Sequence, residues 1–212
     1  IRDRLRSRGL GDVYKRQDSL SAGEQGEVVL NVTPFYAEMG GEVGDTGTIT
    51  ADGVELQVTD TKAPEKGLVC HVATVASGVL TVGMAVSAQV DVKRRACIAR
   101  NHTCTHILHA ALRQVLGAHV KQAGSYVGPD RLRFDFTHFE SVTPEQLKQV
   151  EELANSVIMS ATATNISETS LAKAREEGVT ALFGEKYGDV VRVVKVLSLI
   201  LISEPTRPEP IS

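Results

Sequence analysis

Arg100-Asn101-His102-Thr103-Cys104-Thr105-His106-Ile107-Leu108-His109 is the stretch on which the reading of this chain turns. On a helix, His102 and His106 stand one turn apart on one face. That is how a helix offers two nitrogen ligands to one zinc ion, which takes four ligands in a structural site and three plus an open position in a catalytic one. His109 falls near the same face and is expected to pack or hydrogen-bond. Cys104 lies about 200° around the helix from His102 and cannot share the ion without distortion. The plainer reading is two histidines met by chance. Thr103 and Thr105 point to a partly exposed, polar helix start. The helix is predicted over about Arg95–Leu116, with Gly117 as its stop.

Upstream of this helix, residues 26–95 read as β. Glu27–Val32, Thr48–Thr50, Val54–Asp60, Gly67–Ala73 and Ala85–Val92 are candidate strands, and Asp52-Gly53 is a two-residue hairpin turn. Short strands at such spacing predict a small barrel. Downstream, Arg131–Phe136 alternates like a half-buried strand. Thr143-Pro144-Glu145-Gln146 carries a capping box and opens a helix to about Ala161. A strand over Asn165–Ser170, a helix from Ser170 to Glu177 and a strand over Asp189–Val196 complete an α+β pattern.

The chain has 212 residues, 42% hydrophobic and 23% charged, which fits an ordinary globular protein of one large or two small domains. Aromatics are 4% and Trp is absent, so the core must rest on aliphatic side chains. Three irregularly spaced cysteines make no disulfide framework, and no apolar run is long enough to span a membrane, so a cytoplasmic location is expected. Residues 1–17 hold six basic and two acidic side chains, residues 198–212 one basic and two acidic, which leaves the middle at −6 of a net −3. A globally basic nucleic-acid binder is excluded; a local basic patch is not. Both ends resemble translated sequencing-adapter read-through and are expected to be non-native sequence; a basic arm for RNA phosphates is the other reading of the start.

Three further motifs each carry two readings. Gly40-Gly41-Glu42-Val43-Gly44-Asp45-Thr46-Gly47 suits close backbone approach to a phosphate or nucleotide end, or simply a tight loop between strands; it lacks the Gly-Lys-Ser/Thr ending of a P-loop. Gln122, within Val120–Ser125, has an amide that donates and accepts at once, which suits an ester and its water; in isolation the segment reads as a surface turn. Arg131, Arg133 and Asp135 are expected on one strand face, either meeting RNA phosphates or forming an internal salt bridge, with Leu132, Phe134 and Phe136 on the other.

As a set, these motifs resemble the editing domain of alanyl-tRNA synthetases. Thr33-Pro34-Phe35-Tyr36-Ala37-Glu38-Met39 followed by the glycine run is similar to that domain's opening motif, and Arg100–Leu116 to its zinc helix. Gln122-Ala123-Gly124-Ser125, Arg133-Phe134-Asp135-Phe136 and Ala181-Leu182-Phe183-Gly184-Glu185-Lys186-Tyr187 follow in the family's order and spacing. The resemblance covers about residues 26–196. Threonyl-tRNA synthetases share the histidine helix but not the glycine motif or the Phe-Gly-Glu-Lys-Tyr stretch.

The resemblance implies an α+β protein: a small β-barrel subdomain over 18–95, then an α+β editing core over 96–197, with the histidine-bearing helix packed on an antiparallel sheet. It implies hydrolysis of serine or glycine wrongly joined to the alanine tRNA, within an enzyme that attaches alanine using ATP. His102 and His106 are then zinc ligands and Gln122 contacts the mischarged 3′ end. Thr103 and Thr105 are candidates for sensing the serine hydroxyl. Gly40, Gly41, Asp45, Arg131 and Arg133 are candidates for contact with the tRNA(Ala) acceptor end; neither DNA nor a membrane is an expected partner. ATP and Mg²⁺ would belong to an aminoacylation domain outside this sequence, so no residue here is assigned to them. Two departures stand out. The family completes its zinc site with a Cys-x-x-x-His segment that this sequence does not contain, and Glu42 occupies a position where the family usually has Gln. A free-standing editing hydrolase and a non-catalytic RNA-binding module are the alternatives.

Overall fold

A computed structural model describes residues 5–8, 14–160, 165–176, 190–196 and 199–203. These fall into two compact units that divide between Ile98 and Ala99. Among the described residues, no helix is long and apolar enough to cross a membrane.

The first unit is antiparallel β. Its strands are β1 (Leu5–Arg8), β2 (Tyr14–Gln17), β3 (Ser19–Ser21), β4 (Gln25–Val29), β5 (Gly47–Ala51), β6 (Val54–Glu65), β7 (Leu68–Ser77), β8 (Val79–Thr81) and β9 (Ser87–Val90). β5 and β6 form the expected hairpin, with Gly53 at φ +70° in the turn. Along β6, Val54, Leu56 and Val58 point inward while Glu55, Gln57 and Thr59 face solvent, the period of two that one buried face requires. Leu20, Val28, Phe35, Ile49, Leu56, Val58, Ala73, Val75 and Leu80 close one aliphatic core. His71 is fully buried within this unit. Its Nδ1 donates to the Val28 carbonyl at 2.8 Å, which leaves Nε2 to accept from the Thr33 hydroxyl at 2.7 Å.

The expected barrel does not close. The described strands form an open seven-stranded sheet in the order β2-β1-β4-β7-β6-β5-β9, with a separate β3-β8 pair. The spacing of strands along a sequence fixes their number and length, but closure depends on tilt and stagger across the whole sheet. Here the β6–β7 register slips three times, at Glu55/Leu56, Val58/Asp60 and Lys62/Glu65. β1 and β2 also lie within 1–17, where periodicity marked no strand.

Helix α1 (Val92–Leu116) starts three residues before its predicted limit. Asp91 explains the start: its Oδ1 accepts from Arg94 N at 3.0 Å and its carbonyl from Arg95 N at 2.9 Å. Gly117, at φ +116°, ends the helix as expected.

In the second unit, β10 (Lys121–Val127) and β11 (Leu132–Thr137) form a hairpin, followed by α2 (Pro144–Met159), β12 (Asn165–Ser170), α3 (Leu171–Glu176), β13 (Val190–Val196) and β14 (Leu199–Ser203). The α2 capping box is present in full: Gln146 N donates to Thr143 Oγ1 at 3.2 Å, and Thr143 N to Gln146 Oε1 at 2.9 Å. Ala111, Leu112, Val120 and Val150 form a buried cluster with Phe134, Phe136 and Leu153 against it, so α1 and α2 share a core with β11. β12, β13 and β14 make a separate antiparallel sheet. The Ala181–Tyr187 motif lies outside the described residues.

Candidate functional site

The histidines stand in the middle of α1, not at its polar start. Their rings lie on one face with centroids 5.0 Å apart. His106 is buried, and its Nε2 is sealed from solvent without a hydrogen bond. Burial lowers its pKa from the ordinary 6.5 to about 3, aided by the neighbouring His102 and His109. The imidazole is therefore neutral at physiological pH, the form that binds a metal. His109 packs, as expected: it is buried, its Nε2 is 3.5 Å from the Val120 carbonyl, and its ring is 5.1 Å from that of Phe134. Burial pushes the half-buried Cys104 thiol up, away from a thiolate ligand. The donor set fits zinc as far as it extends, with two imidazoles on one face. Among the described residues, no group of three His, Cys, Asp or Glu side chains could hold a metal.

Two contacts bring a strand alongside these histidines. His109 meets Val120 at one end, and Asn101 Nδ2 donates to the Gly128 carbonyl at 2.8 Å at the other. β10 therefore runs antiparallel to the helix stretch that holds His102 and His106. Within it, Gln122 is opposite Phe136, and the register slips between Gln122 and Gly124. Such a bulge re-aims side chains. Gln122 Oε1 is buried and makes no hydrogen bond. The segment is thus a paired strand rather than a surface turn. Nothing local in the sequence marks Asn101 as the residue that fastens helix to hairpin.

The threonines are engaged within the helix. Thr103 Oγ1 donates to the Ala99 carbonyl at 3.1 Å, and the buried Thr105 Oγ1 to the Asn101 carbonyl at 2.9 Å. Each hydroxyl keeps its acceptor capacity. Arg131 precedes β11 and sits over the Tyr126 ring at 5.8 Å. Arg133 is exposed and pairs with Asp135 at 3.2 Å, so the internal salt bridge is formed.

The remaining site candidates belong to the first unit, where their packing is explicit. Gly40 and Gly41, at φ +61° and +86°, make a two-residue turn between Met39 and Glu42, which exchange backbone hydrogen bonds. A Cβ on Gly44 would strike the Thr61 backbone, and one on Gly47 the Gln89 carbonyl. Asp45 is 2% exposed. Its carboxylate accepts from Tyr36 N at 2.6 Å and from Nε and Nη2 of Arg95 in the first turn of α1. Arg94 donates to the Gly44 carbonyl at 2.8 Å. In this unit the glycine loop is a clamp on the start of α1.

The family model for tRNA synthetases class II (A) matches residues 6–94. The alanine–tRNA ligase of Acetivibrio thermocellus is 55% identical over 179 residues, 84% of this chain and 20% of that protein. That of Pelotomaculum thermopropionicum is 53% identical over 182 residues, 86% of this chain and 21% of that protein. This chain belongs to the alanine–tRNA ligase family. Its likeness extends across both units: the alanine–tRNA ligase of Nitrobacter winogradskyi is also 51% identical over 84% of the chain. The chain spans about a fifth of the length of these alanine–tRNA ligases.

Proposed function

We propose that this chain is the editing segment of an alanine–tRNA ligase, and that it hydrolyses serine or glycine wrongly esterified to tRNA(Ala). The observation that supports the reading is that His106 Nε2 on α1 and Gln122 Oε1 on β10 are each buried without a hydrogen bond, on elements joined at Asn101–Gly128 and His109–Val120. Buried polar atoms without protein partners are rare in folded proteins and call for a bound water, ion or ligand, or for strain, to account for them. In this reading His102 and His106 hold zinc, with further ligands from outside the described residues. Bound zinc polarises an ester carbonyl or a water.

Each protein group then has a defined task. Gln122 orients the 3′-terminal ester or its water through its free amide oxygen. Thr103 and Thr105 have directed their protons into the helix, so their lone pairs can accept from a serine hydroxyl. For the serine ester, that hydrogen bond discriminates against alanine, which has no hydroxyl to offer, far better than size alone would; it does not act on glycine. Gly40, Gly41 and Asp45 shape and anchor the loop that contacts the acceptor end, and Arg131 and Arg133 supply cations for its phosphates. Attachment of alanine with ATP and Mg²⁺ lies in the remainder of the parent enzyme, a cytoplasmic protein.

The test is clearance of seryl-tRNA(Ala) by a parent-length ligase carrying His102→Ala. Loss of clearance with alanylation retained is expected. Clearance at the normal rate would remove the hydrolytic reading.

A further inference from the structure

Three aromatic rings outside the histidine–Gln122 site pack together, two imidazoles edge to edge and a phenyl ring against both. His119 follows the end of α1 and His138 the end of β11. Their rings lie 17° from parallel with centroids 5.0 Å apart, and a hydrogen bond of 2.8 Å joins His119 Nε2 to His138 Nδ1. Phe139 leans on both, at 4.5 Å and 4.7 Å with interplanar angles of 35° and 34°. Yet Phe139 is 76% exposed. A large apolar ring is normally buried, and this one is held in place by two imidazoles while most of its surface faces outward.

The surroundings decide what such a ring would take. Residues Thr137, Glu140 and Ser141 beside it are polar, and among the described residues of this unit the other exposed large apolar side chains, Leu147, Ile158 and Met159, belong to α2. A lone, pre-oriented ring with imidazole edges at its back is too small an apolar patch for a protein interface. It matches a flat heterocycle, which gains from stacking and from polar ring edges together. Lys121, exposed and paired in register with Thr137, stands at the same end of the hairpin. Gln122 is three residues from His119, about 10 Å along an extended chain.

We propose that Phe139, supported by His119 and His138, is a stacking platform for an unpaired base of the RNA strand whose end reaches Gln122. The platform itself follows from the ring geometry; its assignment to that strand rests on the tRNA reading above.

The test uses the full chain and a short single-stranded RNA carrying 2-aminopurine, with binding followed by fluorescence. Phe139→Ala is expected to weaken binding about 5- to 150-fold, the range of one base–aromatic stack. Phe139→Tyr, which keeps the ring, is expected to restore it. Because the side chain is largely exposed, neither change opens a buried cavity. Equal affinity of Phe139→Ala and the unaltered chain overturns the proposal, as does no RNA binding by the unaltered chain. Unchanged RNA affinity together with altered sedimentation of Phe139→Ala also overturns it, and reassigns the ring to a protein contact. His102-dependent hydrolysis that ignores Phe139 in both assays leaves the hydrolase standing and removes the platform. Phe139-dependent RNA affinity without hydrolysis does the reverse.

Discussion

Removing the charge of Asp45 should destabilise the first unit by about 2–4 kcal/mol. Asp45 is almost completely buried, and its partner Arg95 keeps 27% of its side chain exposed. Breaking a fully buried pair from one side costs about 3–5 kcal/mol, because the surviving charge has lost its partner in a poor solvent. The partial exposure of Arg95 reduces that figure, since water reaches one side of the guanidinium. Asp45→Asn keeps the volume and one acceptor oxygen for Tyr36 N, so the loss should track the Arg95 contact rather than a cavity. A double-mutant cycle with Arg95→Met isolates the term: the two single changes summed should cost more than the double change, by a coupling of at least about 1 kcal/mol. Urea unfolding followed by circular dichroism measures each variant. Since two units can unfold separately, amide exchange along Asn31–Asp45 and Val92–Ile98 locates the loss. A coupling below about 0.5 kcal/mol would refute the clamp and return Asp45 to the pool of residues available for a ligand.

Two more predictions concern histidine burial and a glycine. In the unfolded chain His71 and His106 titrate near 6.5, and in the folded chain both are lowered, chiefly by burial. The unfolded chain then binds more protons below that pH. Their contribution to stability is fully present above about 6.5 and is lost as pH falls, for His106 down toward about 3 at up to about 1.4 kcal/mol per pH unit, and for His71 in the same direction. Urea midpoints should therefore drop between pH 7 and pH 5, and His106→Gln should flatten the slope; equal slopes would contradict the buried neutral state. Gly44→Ala forces a methyl onto the Thr61 backbone. It should cost about 1–3 kcal/mol by the same unfolding assay, and no loss would show that the loop shifts freely.

How much of this was legible in the sequence depended on how far apart the interacting residues lie. The α2 capping box closes within four residues, and both its hydrogen bonds are where Thr143 and Gln146 imply. The Asp52-Gly53 hairpin and the Gly117 stop are equally local. Spacing likewise brought His102 and His106 together on α1. By contrast, Arg95 meets Asp45 across 50 positions and His138 meets His119 across 19, and no periodicity reports such pairs. Asp45 was legible only as a candidate for the acceptor end, and its bond to Arg95 was not. The open sheet was equally out of reach, since strand order and register appear only when the strands pair.

The failure at Gln122 has a different cause. Sheets alternate side chains between faces, and a reader of sequence relies on that alternation to recognise a strand. Between Gln122 and Gly124 the pairing with β11 slips, so the alternation breaks within the strand. A regular strand would be easier to read, but it would keep its side chains in strict alternation. The slip redirects the chain at the point where an amide oxygen ends buried and unpartnered. Gly124 permits it, since a Cβ there would press on the Asp135 carboxylate at 3.0 Å. The irregularity that hid the strand is therefore also what sets the direction of the chain at Gln122, because a bulge re-aims the side chains beside it.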